Sequence, residues 1–147
     1  MIKKIFFSRI CIASDHAGFD LKEKIKDFLI NKNIPVIDLG PFKNNSVDYP
    51  DYAKKVAMRL VLKKSDAGIL VCGSGTGMAI TANKFKGIRA AQCSSKISTI
   101  LSRQHNNSNI ICLGSRMLKY KEAFKYVTYF LNTKFESGRH QKRINKI

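Results

Sequence analysis

The sequence predicts an α/β protein, a Rossmann-like three-layer αβα sandwich around a five-stranded parallel sheet. Five short apolar runs alternate with stretches of helical period, the pattern of a sheet covered on both faces. The runs end in small or polar residues, at Ser14-Asp15-His16, Gly40, Cys72-Gly73-Ser74, Cys93-Ser94-Ser95 and Gly114-Ser115-Arg116. In open α/β sheets, ligands sit outside those carboxyl ends. The 147 residues contain no internal repeat, low-complexity segment or linker, and an apolar share of 44% is enough for one core, so a single domain over 1–147 is expected.

The first strand is read at 9–14, followed by a helix over 19–33 with Leu21, Ile25, Phe28 and Leu29 on one face. A second strand over 34–39 closes at Gly40-Pro41, and a helix over 51–64 turns Ala53, Val56, Ala57, Leu60 and Val61 inward. The third strand, 67–72, runs into a glycine-rich turn from which a helix opens. Strands at 88–93 and 109–113 flank a helix over about 95–105 that presents Ile97, Ile100 and Leu101. A last helix from about Tyr120 uses Phe124, Val127, Phe130 and Leu131 and breaks at Ser137-Gly138.

No apolar run is long enough for a membrane span, and Ser8-Arg9 interrupts the N-terminal apolar stretch too early for a signal-peptide core. A cytoplasmic protein is expected. Its cysteines, Cys11, Cys72, Cys93 and Cys112, form no CxxC pair, which argues against zinc and against a disulfide framework. The formal charge of +17 favours anionic partners. No carboxylate occurs between Asp66 and Glu122, and that interval holds the glycine turn, a suitable field for a phosphorylated small molecule. A lysine-rich solvated surface nonetheless explains most of the charge.

Chemistry concentrates at Val71-Cys-Gly-Ser-Gly-Thr-Gly77. A strand, then Gly73-x-Gly75-x-Gly77, then a helix offers backbone N–H groups to an anion. The spacing is not GxGxxG, the acid-free interval lacks the carboxylate a dinucleotide ribose needs, and no Lys-Ser/Thr pair follows for a nucleotide P-loop. Cys72, at a strand end beside a helix start, suits a base or nucleophile; the alternative is an inert packing thiol. Imidazoles can approach from Asp15-His16 or from Arg103-Gln-His105-Asn106. Arg139 and Arg143, four apart, would share one helical face and clamp a phosphate, unless the terminal segment is a frayed basic tail.

Together, Ser14-Asp-His-Ala-Gly-Phe19, Asp48-Tyr-Pro50, the Cys72 to Gly77 loop, Ala82-Asn-Lys84, Gly87-Ile-Arg-Ala90, Ser102-Arg-Gln-His-Asn106, Gly114-Ser-Arg116 and Gly138-Arg-His-Gln-Lys-Arg143 resemble the type B ribose-5-phosphate isomerases. Their joint order, from about Ile10 to Arg143, is specific where each motif alone is weak. The resemblance implies a metal-free, cofactor-free aldose-ketose isomerase of ribose 5-phosphate and ribulose 5-phosphate. It implies Cys72 as the base moving a proton between C1 and C2, with Ser74 hydrogen-bonded to a reacting oxygen and His105 assisting ring opening. Gly73, Ser74, Gly75, Thr76 and Gly77 would hold the enediolate. Asp15, His16, Asn106, Arg116, Arg139 and Arg143 would bind the rest of the sugar phosphate. Such proteins are homodimers, some pairing into tetramers, with sites shared across the interface, so the segment about 135–147 is expected to pack on a partner subunit.

The resemblance leaves two rivals. Allose- and galactose-6-phosphate isomerases share much of this machinery, but some pair two different subunits of which one lacks the cysteine, so Cys72 points to a self-sufficient chain. A nucleic-acid module would interleave aromatic and basic residues on one surface. Tyr120, Phe124, Tyr126, Tyr129 and Phe130 do lie among lysines, yet Phe124, Phe130 and Leu131 fall at core or dimer-contact spacing, which argues against nucleic acid. The sequence departs from the family in its basicity and in about six extra residues before the first strand.

Overall fold

The computed structural model describes residues 4–147; residues 1–3 of the N-terminal extension lie outside the described part. The elements are β1 (Ile10–Ser14), α1 (Phe19–Asn31), β2 (Val36–Asp38), α2 (Tyr49–Val61), β3 (Ala67–Cys72), α3 (Thr76–Ala82), β4 (Ala90–Gln92), α4 (Lys96–Gln104), β5 (Ile110–Gly114), α5 (Tyr120–Asn132) and α6 (Arg139–Ile144). All strand pairs are parallel, as the alternating pattern predicts, and the strand order is β2-β1-β3-β5-β4.

The strand side chains show why the central runs are apolar throughout. Successive residues point to opposite faces, and both faces are covered. Ile10 and Ile12 of β1, Ile69 and Val71 of β3, and Ile111 and Leu113 of β5 pack with Leu21, Ile25 and Leu29 of α1 and Val127, Phe130 and Leu131 of α5. Their neighbours Cys11, Ala13, Leu70, Cys72, Ile110 and Cys112 pack on the other face with Ala53, Val56, Ala57 and Leu60 of α2 and Met78 and Ala82 of α3. Cys72 therefore belongs to the α2/α3 side of the sheet.

Local chemistry sets the boundaries. β2 begins after Pro35, which has no N–H to give to a ladder. α2 starts at Tyr49, with Pro50 in the first turn where its missing N–H costs nothing. Ser95 and Ser98 cap α4 reciprocally. α5 ends where Thr133 turns extended and its hydroxyl donates to the Tyr129 carbonyl at 2.6 Å. The chain then runs to Ser137 and Gly138, both at positive φ, and re-enters a short helix, α6.

Three inward assignments from the sequence are corrected. Val61 is exposed at the end of α2, and on α4 Ile97 is 70% and Leu101 38% exposed. The face that α4 turns inward carries Thr99, Ser102 and Arg103 instead. Arg103 is 4% exposed; its guanidinium donates to the carbonyls of Thr133 and Ser108 and to Asn107 Oδ1, and lies over the rings of Phe7 and Phe130. Burial, with Arg89 nearby, lowers its pKa to about 10.

Lys22 of α1 is the other buried cation. It is fully buried, and its Nζ donates to both Asp38 oxygens, to Glu23 and to the Pro41 carbonyl, each at 2.9 Å. That fan ties α1 to the end of β2 and to the turn leading to α2. No helix among the described residues is long and apolar enough to cross a membrane.

Candidate active site

A cleft of about 610 Å³ opens at the carboxyl ends of the central strands, lined by Asp15, His16, Cys72, Gly73, Ser74, Gly77 and Arg116 among others. β1 supplies the first two through the turn into α1. Asp15 is 7% exposed and is held by the Val71 carbonyl, which accepts its N–H, and by the Gly18 N–H, which donates to Oδ1 at 2.9 Å. His16 Nδ1 lies 3.0 Å from the Val47 carbonyl oxygen and 3.2 Å from the Val47 nitrogen. Those contacts anchor one ring nitrogen and direct Nε2 elsewhere.

β3 ends at Cys72, 4% exposed on the cleft floor. The loop after it bends back so that the Gly75 N–H donates to Cys72 Sγ at 3.1 Å. Gly75 holds a left-handed φ of +80°, and a Cβ there would meet the Leu113 carbonyl carbon at 3.0 Å. Glycine is required on both counts. The Thr76 N–H lies 3.3 Å from Ser74 Oγ. At these two positions the loop's N–H groups therefore serve its own side chains, and Gly75 and Thr76, unlike Gly73, Ser74 and Gly77, do not line the cleft. Gly73 is closed over by the Arg116 guanidinium, whose N–H lies 2.9 Å from where a Cβ would stand, and Gly77 by the Tyr49 ring. Arg116 is set by its own N–H bonding to the Gly73 carbonyl, and Ser115 Oγ ties the end of β5 to the Ala17 carbonyl.

His105, Asn106, Arg139 and Arg143 do not line this cleft. His105 caps the end of α4, and its ring stacks on His140 of α6 with centroids 4.2 Å apart and planes 11° apart. His140 is 5% exposed; burial lowers its pKa below the ordinary histidine value, and His105, Arg139 and Arg143 add to the shift. The Glu136 N–H donates to the Gln104 carbonyl, so the terminal segment is pinned to its own α4 and does not fray. Asn106 sits nearby, its carbonyl accepting from Arg89. Arg139 and Arg143 lie four apart on α6, both exposed.

The candidate residues thus fall into two groups, one at the cleft and one where α4 meets α6. The exposed apolar side chains Ile80 and Met117 border the cleft, and Ile97 and Leu101 cover the outer face of α4. The other three cysteines are buried and free. Burial pushes the Cys11 thiol up to about 11 and raises those of Cys93 and Cys112, so none is disposed to ionise.

Sequence reasoning did not single out Tyr49, Glu136 or His140 for the site. Tyr49 was visible only as the middle of Asp48-Tyr-Pro50, and its place over Gly77 depends on where Pro50 starts α2. For His140 the sequence gives only its place between Arg139 and Arg143, since nothing in the linear pattern shows its ring under His105.

A family model described as Ribose/Galactose Isomerase matches residues 10–147. Ribose-5-phosphate isomerase B of Escherichia coli is 43% identical over 139 residues, covering 95% of this chain and 93% of its own. A probable ribose-5-phosphate isomerase B of Mycoplasma genitalium is 48% identical over 141 residues, covering 94% and 92%. Among solved structures, a ribose 5-phosphate isomerase from Thermotoga maritima superposes with a TM-score of 0.93 at 50% identity, over 95% of this chain and 96% of that one. The ribose-5-phosphate isomerase B of Mycoplasma genitalium, solved with bound ribulose-5-phosphate, gives a TM-score of 0.90 at 46% identity, over 94% and 92%.

Proposed function

Since the chain belongs to the ribose/galactose isomerase family, we propose that this isomerase interconverts D-ribose 5-phosphate and D-ribulose 5-phosphate through an enediolate, with Cys72 as the base. The observation that carries the reading is Cys72 Sγ on the cleft floor, accepting the Gly75 N–H and flanked by Ser74 and Arg116.

In the open-chain aldose, Sγ takes the proton from C2. The electron pair left behind becomes the C1–C2 double bond, and negative charge develops on O1. Preorganised donors beside such an oxygen lower the barrier, and the Ser74 hydroxyl, the glycine-loop N–H groups and Arg116 are the candidates. Sγ then returns its proton to C1, while the O2 hydroxyl proton passes to O1, giving the ketose. No electron acceptor or further reactant is needed.

Before that step, the furanose must open. A neutral imidazole at His105 would take the anomeric hydroxyl proton and protonate the ring oxygen as the C1–O4 bond breaks. Within one subunit His105 stands apart from the cleft, and the reading resolves this through a homodimer in which each cleft is completed by the α4/α6 end of a second copy. The exposed Ile97, Leu101, Ile80 and Met117 support that contact, since apolar side chains beside both half-sites gain by leaving water. Arg139 and Arg143, carried on the same α6 as His140, would then serve the partner's cleft together with His105 and Asn106. With His16, they would hold the phosphate far from the reacting carbons, where binding energy positions the sugar. The assignment includes a cytoplasmic location, where sugar phosphates are found.

The family description also covers galactose isomerases, so a hexose 6-phosphate is the second reading. Turnover of five- and six-carbon aldose phosphates by the wild type and Cys72→Ala decides: the proposal requires a preference for ribose 5-phosphate that vanishes in the variant. A preference for a six-carbon sugar would overturn the substrate, and undiminished turnover by the variant would overturn the base.

A further inference from the structure

The residues before Ile10 lie outside the family match, yet two of them are built into the fold. Phe6 donates its N–H to the Leu131 carbonyl at 3.0 Å, and the Phe7 ring stacks on Phe130 with centroids 5.7 Å apart and planes 9° apart. The extension is thereby fastened to the end of α5. Phe7 also covers the Arg103 guanidinium, whose Cζ lies 4.7 Å from its ring centroid. We propose that Phe7 is a positioning residue for His105, acting through Arg103, so that the N-terminal extension sets the geometry of the ring-opening half-site.

Arg103 is the link because it reaches three segments at once. Its Nε donates to the Thr133 carbonyl at 3.2 Å, where the connection from α5 to α6 begins. Its Nη1 donates to Asn107 Oδ1 at 2.9 Å and to the Ser108 carbonyl. Those two residues close the turn that follows His105 and Asn106. In that turn the Asn107 N–H donates to the Arg103 carbonyl and the Ser108 N–H to the Ser102 carbonyl, with Asn107 at a φ of +46°. A residue other than glycine keeps such a φ when its surroundings hold it there, and the guanidinium is one of the holds.

Every acceptor of that guanidinium is neutral, and such hydrogen bonds are firm where water is kept away. The two rings keep it away: Arg103 is 4% exposed, and a desolvated cation over an aromatic face is held more tightly than an exposed one. Phe130 is buried in the core, so it stays with or without the extension, whereas the half-buried Phe7 forms the outer wall. Without that ring, water reaches the guanidinium and the turn bearing His105 loosens. The Cys72 loop is held by other contacts, those of Gly75 with Sγ and of Arg116 with Gly73, so the effect falls on ring opening and spares proton transfer. The positioning claim stands on these contacts; its effect on turnover rests on the role of His105 proposed above.

Phe7→Ala, beside Phe7→Tyr as the variant that keeps a ring, tests this in the full-length chain. In NMR-detected hydrogen exchange, the Asn107 and Ser108 amides of Phe7→Ala should lose protection by about tenfold or more while those of β3 keep theirs, and Phe7→Tyr should exchange like the wild type. For ribose 5-phosphate, kcat of Phe7→Ala should fall roughly tenfold, part of the about 10²–10⁴-fold that a general acid–base group contributes. Ribose 5-phosphate deuterated at C2 should show an isotope effect on kcat no larger than the wild type's, because removal of the C2 proton is not the step that slows. In a His105→Ala background, Phe7→Ala should lower kcat no further. Unchanged exchange at Asn107 and Ser108, an equal loss of protection in β3, a larger isotope effect, or a further full loss of turnover in the His105→Ala background would overturn the proposal. If the turn loosens as described yet kcat holds, Phe7 positions the turn and the role of His105 falls.

Discussion

The Gly75 N–H points at Cys72 Sγ from 3.1 Å, three residues along a turn that only a left-handed glycine can make. The loop that reads as an anion cradle therefore also holds the thiol. Its neighbour Ser74 faces the same cleft, and the Arg116 guanidinium lies over Gly73.

Replacing Cys72 with alanine should lower kcat for ribose 5-phosphate by roughly 10²–10⁴-fold, the contribution of a positioned base. The circular dichroism spectrum and oligomeric state should not change, because one sulfur at the cleft floor is lost. A steady-state assay beside size-exclusion chromatography checks both, and a fall of less than about tenfold would contradict the role.

Gly75→Ala should cost about 1–3 kcal/mol of stability, because alanine at a φ of +80° is strained and its methyl presses on the Leu113 carbonyl. Moving the N–H away from Sγ should also lower kcat more than it changes KM. Urea melts and steady-state kinetics on one preparation measure the two effects.

If each site draws on two subunits, inactive Cys72→Ala and His105→Ala chains should rescue one another. Refolded together in equal amounts, half the dimers are mixed and each holds one intact site, so about a quarter of wild-type activity should return. Sites complete within one subunit would return none.

Leu101→Asp places a charge in the exposed apolar face of α4. Analytical ultracentrifugation should show a shift from dimer to monomer, with turnover falling in proportion, while the secondary structure persists. A dimer that survives the change would move the interface elsewhere.

Acid should loosen the tie around Lys22. Burial would raise the Asp38 carboxyl, but hydrogen bonds from Lys22 and Lys26 outweigh it and hold Asp38 below the usual carboxylate range; Glu23 is lowered in the same way by Lys26 and Lys22. With folded values below unfolded ones, their stabilisation is present above about pH 4 and is lost as pH falls through the lowered values. Asp38→Asn should therefore flatten the acid limb of a stability–pH curve, and should cost about 3 kcal/mol at neutral pH by leaving the buried Lys22 under-paired.

The parallel sheet, and the place of Asp15, His16, Cys72 and Arg116 at its strand ends, are legible because they depend on local signals. Strand periodicity, the glycine triplet and small residues at strand ends all act within a few residues of one another. The α4 face differs for a physical reason: Ile97 and Leu101 are spaced like core residues, and periodicity alone does not show that both are exposed. In their stead the inner face uses Arg103, whose charge is tolerated through carbonyl acceptors and two aromatic rings that no window of sequence contains. The return of α6 against α4 is hidden similarly, since it depends on Ser137 taking a positive φ that a serine rarely adopts.

β3 lies in the middle of the sheet, bonded along its length to β1 on one side and β5 on the other. Its amide hydrogens are bonded to one neighbour or the other and covered by helices on both faces, so the strand bearing Cys72 should exchange at the rate of global unfolding. An oxidant consequently gains nothing from local breathing of the chain. It must come in through the cleft, by the route a sugar takes, and a bound sugar would shield the sulfur from peroxide for as long as it stays.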